Sequence, residues 1–220
     1  MTECSTQRSG TMFGQSSAST SILFAMTGGQ NAMSQRPQFL GKEARMAQKE
    51  GCVEKINADG PEQLKFVEGG AEFLDRIEPL WKQQTVLHAK KSRHFAESFT
   101  TANFSDRKRV FEQKARTGSL LVILAMVGLD EIAGYTVSSV CEELSDLGAC
   151  EVGEIDSMFI LEPYRRLGIG RKFLVRSMQW FEQNRAEKVI ALVVVGNEEV
   201  LEFYRLAGLL PRAILLQRKE

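Results

Sequence analysis

Met158-Phe-Ile-Leu-Glu-Pro-Tyr-Arg-Arg-Leu-Gly-Ile-Gly170 runs from an apolar strand through a proline-marked turn into Arg165-x-x-Gly168-x-Gly170. Leu174, Met178 and Phe181 then recur at helical spacing, so the glycines open a helix. Glycine lets a backbone come close to a ligand, and the free amides of a helix N-terminus point at an anion. Arg165, Arg166, Arg171 and Lys172 surround this turn, where cations oppose the helix dipole unless an anion is bound. The turn therefore reads as a phosphate site whose anion is a pyrophosphate. A dinucleotide fingerprint is excluded because Phe173 stands where its third glycine would be, and a P-loop because no Gly-Lys-Ser/Thr follows.

A second constellation lies downstream. A Val-rich stretch from Val189 to Val195 precedes Asn197, and Phe203-Tyr204 and Gly208 follow in order. Together the two segments, from Glu154 to Leu209, resemble the core of the GNAT superfamily of acyl-CoA-dependent N-acetyltransferases. That family carries Arg/Gln-x-x-Gly-x-Gly/Ala after its fourth strand, and an Asn followed by an aromatic-Tyr pair and Gly after its fifth. The resemblance implies an α/β (α+β) fold with a mixed central sheet flanked by helices. It also implies acetyl-CoA as co-substrate, with no metal, and a primary amine as acceptor. The acceptor could be a small polyamine-like or aminoglycoside-like molecule, an amino acid, or a protein amine.

The remaining chain accommodates this plan over residues 61–220, about 160 residues, enough to bury one core. Leu64 to Val67 is expected as a first strand and Ala71 to Phe95 as helix, with Pro79 either at a helix start or at a kink. Asp106 to Ala115 reads as a short helix with Phe104, Phe111 and Ala115 near one face. Leu120 to Met126, Ile132 to Val140 and Glu151 to Ile160 read as strands, joined by turns at Gly128–Glu131 and Asp146–Gly148. Val189 to Val195 is expected as a strand, Glu198 to Ala207 as a helix, and Ile214 to Gln217 as a last strand.

Residues 1–60 read differently. No Asp or Glu occurs from Cys4 to Lys42, and Ser, Thr, Gly and Gln dominate, a composition of a low-complexity, disordered leader. Its apolar run, Ser21 to Met26, is too short for a secretory signal. The leader weakly resembles an organellar transit peptide; an upstream-extended start or a tag remnant fits equally.

Twenty-eight basic and 28 acidic residues cancel, but not evenly along the chain. Ser119 to Tyr164 contains no Lys or Arg and is rich in acids, whereas Arg165 to Lys188 is rich in bases. If these blocks meet at the active site, one suits a polyanionic cofactor and the other a cationic amine. No basic stripe points to nucleic acid, and no apolar stretch reaches membrane-spanning length. Cys4, Cys52, Cys141 and Cys150 include no C-x-x-C pair, which argues against zinc and for a reducing, cytoplasmic setting. Cys141 and Cys150 could face each other across a hairpin, although a disulfide is disfavoured. His88 and His94 lie off a common helix face; the resemblance implies that either could line the acceptor pocket, which the family's first helices border.

Amide formation needs a group to take the amine's proton and another to stabilise the departing thiolate. The resemblance implies a base on the fourth strand, where Glu154 and Asp156 share one face, with Asp156 favoured. It implies Tyr204 as the acid, facing the cleft while Phe203 fills the core. It further implies that Met158, Phe159 and Ile160 pair with the pantetheine arm, with an oxyanion-binding amide near Phe159. The phosphate turn would be formed by Arg165, Arg166, Gly168, Ile169, Gly170 and Arg171, with Asn197 completing the cofactor site. Val200 replaces the family's usual Ala near the pantetheine path. A catalytically silent acyl-CoA sensor on the same fold is the alternative function. Homodimers through sheet edges or C-terminal strands are a further implication of the resemblance.

Overall fold

The computed structural model describes residues 64–117, 119–145 and 148–218. The expectations for the leader, with Cys4 and Cys52, and for Asp146 lie outside these residues. Five strands form one mixed sheet in sequence order: β1 (Lys65–Gly69), β2 (Leu120–Val127), β3 (Glu131–Ser145), β4 (Gly148–Ile160) and β5 (Lys188–Ala191). The first four pair antiparallel and β5 joins β4 in parallel. The continuous apolar run of β2 is explained by burial on both faces. Leu120, Val122, Leu124 and Met126 enter one core cluster, and Leu121, Ile123, Ala125 and Val127 enter another.

On the first face lie α1 (Leu74–Lys91), the short α2 (Ala96–Thr100) and α3 (Phe104–Arg116). Leu74, Ile77, Leu80 and Trp81 of α1 and Phe104 and Phe111 of α3 supply its core. Asn103 caps α3, its Oδ1 accepting from the Ser105 amide at 3.0 Å. The second face is covered by α4 (Ile169–Gln183), and α5 (Glu198–Leu206) completes a third cluster around Val140, Ile155, Leu174, Phe181 and Tyr204. The result is a sheet between two helical layers.

Four expectations are corrected. The helix expected over 71–95 is a 3-10 turn followed by α1, which runs through Pro79 and stops at Ser92, where ψ of 125° leaves the helical region. The Val-rich strand ends at Ala191, because its ladder with β4 ends there, and Leu192 and Val195 are exposed. Ile214 to Gln217 forms no strand: it makes no ladder with any described strand, and Ile214, Leu215 and Leu216 remain exposed. Cys141 and Cys150 are free thiols opposite Val152 and Glu143, not opposite each other.

The feature that positions the site is a bulge. The β3–β4 register passes from Val137↔Ser157 to Ser138↔Ile155, leaving Asp156 without a counterpart. Asp156 and Ser157, although consecutive, consequently both reach the α1/α3 face: the first contacts Lys114 and the second Gln84. The ladder between β4 and β5 runs from Val152↔Lys188 to Ile155↔Ala191, so these strands part where the bulge begins.

Candidate active site

Beyond Ala191, one edge of β4 has no strand neighbour among the described residues. The Leu161 amide donates to the Ala133 carbonyl at 2.9 Å, so the backbone groups of Leu161, Phe159 and Ser157 face β3. Those of Asp156, Met158 and Ile160 face the open edge. Their carbonyls accept side-chain donors: Arg107 Nη2 at 3.1 Å, Gln84 Nε2 at 3.2 Å and Arg165 Nε at 2.9 Å, respectively. Of the three residues expected to pair with a bound arm, Met158 and Ile160 lie on this edge. Phe159 turns its backbone to β3 and its ring into the first core cluster.

The glycine turn lies at the end of the same edge. Gly168, with φ of 79°, precedes the first turn of α4, which contains no acidic residue. A Cβ added there would meet nothing within 4 Å, so its backbone faces open space. A Cβ at Gly170 would make ordinary contacts at 3.4 Å with Ile160 and Phe203. The Ile169 side chain is buried in the second core cluster and anchors the helix start. By helix geometry the amides of Ile169 and Gly170 have no intrahelical acceptor. Arg165 folds back onto β4, Arg166 pairs with Glu199 at 2.6 Å, and Lys172 lies over the Phe66 ring towards β1. Buried Asn197 stands at the head of α5, its amide donating to the Val194 carbonyl at 2.9 Å. The open cradle, the helix amides and the unpaired strand edge suit a phosphorylated ligand with an extended amide-bearing arm.

Tyr204 is buried in the third cluster, whereas Phe203 packs more openly beside Gly170. Their relative burial is thus the reverse of that expected. Burial pushes the Tyr204 phenol up to about 12, so it keeps its proton at neutral pH.

Glu154 and Asp156 do share a face, and both meet Lys114, whose Nζ lies 3.2 Å from Glu154 and 2.6 Å from Asp156. The Asp156 side chain is 1% exposed. Its second oxygen accepts from Ser139 Oγ at 2.5 Å, and Arg107 Nη2 lies 3.6 Å from the first. Burial alone would push the Lys114 ammonium down, but the two carboxylates outweigh it and hold its pKa above the usual lysine value. Of the acidic block, Glu154 and Asp156 lie here, on the strand that leads to Arg165, whereas Glu142, Glu143 and Glu151 lie on the far half of the β3–β4 hairpin.

Sequence reasoning missed a polar network that joins α1 to the strands. Gln84 Oε1 accepts from Tyr135 Oη at 2.5 Å and Ser157 Oγ at 2.8 Å. Beside it a cavity of about 290 Å³ is lined by Trp81, Gln84, His88, Phe99, Arg107, Asp156 and Ser157, among others. It shares Trp81, Thr85, Phe99 and Ala102 with an outer cavity of about 390 Å³, so the two form one trough. His88 is the histidine that lines it, its ring edge-on to Phe99 at 5.3 Å, and burial lowers its pKa. His94 is not among the lining residues. The available signal was spacing: Trp81, Gln84 and His88 mark one face of α1, and Arg107, Phe111 and Lys114 one face of α3. Among the described residues, no cluster of His, Cys, Asp and Glu could hold a metal ion, and no helix is long and apolar enough to cross a membrane.

The family model described as acetyltransferase (GNAT) family matches residues 85–209. Among solved structures, a mutant protein from Bacillus halodurans is similar with a TM-score of 0.58 and 17% identity, covering 71% of this chain and 99% of that one. A predicted acetyltransferase from Clostridium acetobutylicum with acetyl-CoA gives a TM-score of 0.55 and 13% identity over 71% of this chain and 96% of its own. The aminoglycoside N-acetyltransferase AAC(6')-Iy in complex with CoA gives 0.56 and 12% over 74% and 99%. At such identities the likeness is one of fold. No curated protein matches the sequence.

Proposed function

The chain belongs to the acetyltransferase (GNAT) family, and from that premise we propose that it transfers an acetyl group from acetyl-CoA to the primary amine of a small molecule. The observation that carries this is the open edge of β4, which runs from the trough at Asp156 to the Gly168 turn. The arm of the co-substrate would lie along Met158 and Ile160. Its pyrophosphate would sit on the turn formed by Arg165, Arg166, Gly168, Ile169, Gly170 and Arg171, and Asn197 would flank it. Acetyl-CoA supplies an activated thioester. The amine would enter through the trough lined by α1. That neighbours of the same fold are named as aminoglycoside acetyltransferases supports a small-molecule amine as the general class.

Within this site the open-edge amides of Met158 and Ile160 replace Phe159 as the proposed oxyanion donors, because the Phe159 amide points to β3. Tyr204, fully protonated at neutral pH, is the proposed donor to the departing sulfur. Tyr204→Phe is expected to lower kcat by about 100-fold or more while leaving calorimetric affinity for acetyl-CoA within about twofold. Equal loss of binding would make Tyr204 a packing residue. Binding by the wild-type chain without turnover of any amine would assign it to the silent acyl-CoA sensor.

The proton acceptor has two candidates in one cavity. The oxygens of Asp156 already accept from Lys114 and Ser139, and Glu154 is engaged by Lys114. His88 is neutral at pH 7, because burial lowers its pKa below 6.5. We therefore propose His88 as the base, with Asp156 and Arg107 the charged groups that line its cavity. As pH falls, kcat/KM should hold steady to below 6.5 and then decline. His88→Gln should abolish that limb and cost about 100-fold in kcat. A decline that survives in His88→Gln and disappears in Asp156→Asn would restore the carboxylate of β4 as base.

A further inference from the structure

The trough that would admit the amine has an unusual charge balance for a polycation site. Among the described residues that line its two cavities Asp156 is the single acid, and its carboxylate is engaged by Lys114 and Ser139 and approached by Arg107. An acceptor with several ammonium groups would need several uncommitted carboxylates to replace its water. The trough instead places a cation at its inner end. The Arg107 guanidinium stacks on the Phe111 ring at 4.5 Å and uses Nη2 on the Asp156 carbonyl, while its side chain stays 34% exposed. Among the described residues, Arg107 Nη1 and Nε have no acceptor, although the guanidinium forms a planar fork suited to a carboxylate. Outward from Arg107 the aromatic rings of Trp81, Phe99 and Phe104 line the walls together with uncharged Thr85, Thr100 and Asn103 and with Lys82, which pairs with Glu78.

Resting on the acetyltransferase function proposed above, we infer that the acceptor is an amine bearing its own carboxylate beside an apolar body, a hydrophobic α-amino acid. The carboxylate docks on Arg107 and the side chain lies between Trp81 and Phe99. The carbonyl that Arg107 holds belongs to the open edge of β4, two residues before Met158. An amine one carbon from the docked carboxylate therefore sits against the edge proposed to carry the thioester. A polyamine or aminoglycoside would bring its charge to the same guanidinium and be repelled.

The test uses the full chain and thiol release from acetyl-CoA. L-phenylalanine, L-leucine and L-methionine are compared with L-phenylalaninamide, spermidine and kanamycin, and acetyl-CoA binding is measured separately by calorimetry. The free amino acids should exceed the amide and both polycations in kcat/KM by about 10- to 100-fold, the contribution of a charge-assisted pair. Arg107→Gln should bring the acid-to-amide ratio close to one, and Arg107→Lys should restore part of it. If acetyl-CoA binds and the polycations or the amide are turned over in preference to the free amino acids, the inference is overturned and the acetyltransferase function stands; if acetyl-CoA binds and no amine is turned over, the inference is overturned and the silent acyl-CoA sensor is the function. If acetyl-CoA does not bind, both fall.

Discussion

Gly168→Trp is expected to weaken calorimetric binding of CoA and acetyl-CoA by at least about 100-fold while the chain remains folded. Two effects combine. At φ of 79° any side chain strains the backbone, at a cost of about 1–2 kcal/mol. The indole also enters the open space above the turn, where a Cβ meets nothing within 4 Å. Because no described residue lies within 4 Å of that Cβ, the core is not disturbed. The melting temperature should fall by only about 2–8 °C, the range set by the strain alone. Retained affinity would remove the pyrophosphate from this turn and, with it, the proposed direction of the whole ligand along β4.

Lys114→Met has the larger effect on stability. It leaves Asp156, 1% exposed, facing Ser139 and the more distant Arg107 without its nearest cation, and leaves Glu154 without its partner. Breaking a buried pair from one side costs about 3–5 kcal/mol. That corresponds to a loss of about 6–20 °C in melting temperature for a domain of this size. The double variant Lys114→Met with Asp156→Leu should recover most of it, since a buried pair replaced by apolar groups is close to neutral. The pH dependence has a definite sign. The pKa of Lys114 is raised in the folded state above 10.5, so its contribution is complete below that value and is lost as pH climbs through the folded pKa. The stability gap between wild type and Lys114→Met should therefore be flat from pH 7 to 9 and narrow only in strong alkali. A gap that closes near neutrality would mean that the ammonium is not held by these carboxylates.

The parts of the site legible in the sequence are those built by local chain geometry. Gly168 announces itself because a left-handed turn followed by a helix is a short-range pattern, and Asn197 because it stands one residue before a helix. Glu154 and Asp156 were correctly placed on one face because strand alternation is local too. Their neutralisation was not legible: Lys114 lies 40 and 42 positions away, on a helix whose packing angle no periodicity reports. The same applies to Gln84, whose partners Tyr135 and Ser157 lie 51 and 73 positions away. Phe159 is expected on the open edge only because the resemblance carries Met158 to Ile160 over together, whereas strand alternation turns its backbone to β3. The C-terminal strand failed for another reason. Apolar content at Ile214 to Leu216 marks a segment able to pair, but pairing is a property of two segments, and no described strand supplies the second.

The four-residue ladder of β5 also bears on how the molecule assembles and breathes. β3 and β4 are consecutive in the chain and pair from Gly134↔Ile160 to Ser145↔Gly148, so their contacts close quickly and cheaply. β5 must instead return across the whole of α4 to make four parallel pairings at the sheet's margin. Long loop closure for few contacts places it late in folding and low in local stability. The cleft between β4 and β5 is thus the seam along which the native sheet opens first. A ligand that spans this seam ties together the two elements least able to hold each other, so occupancy itself becomes the clasp on the weakest joint of the fold.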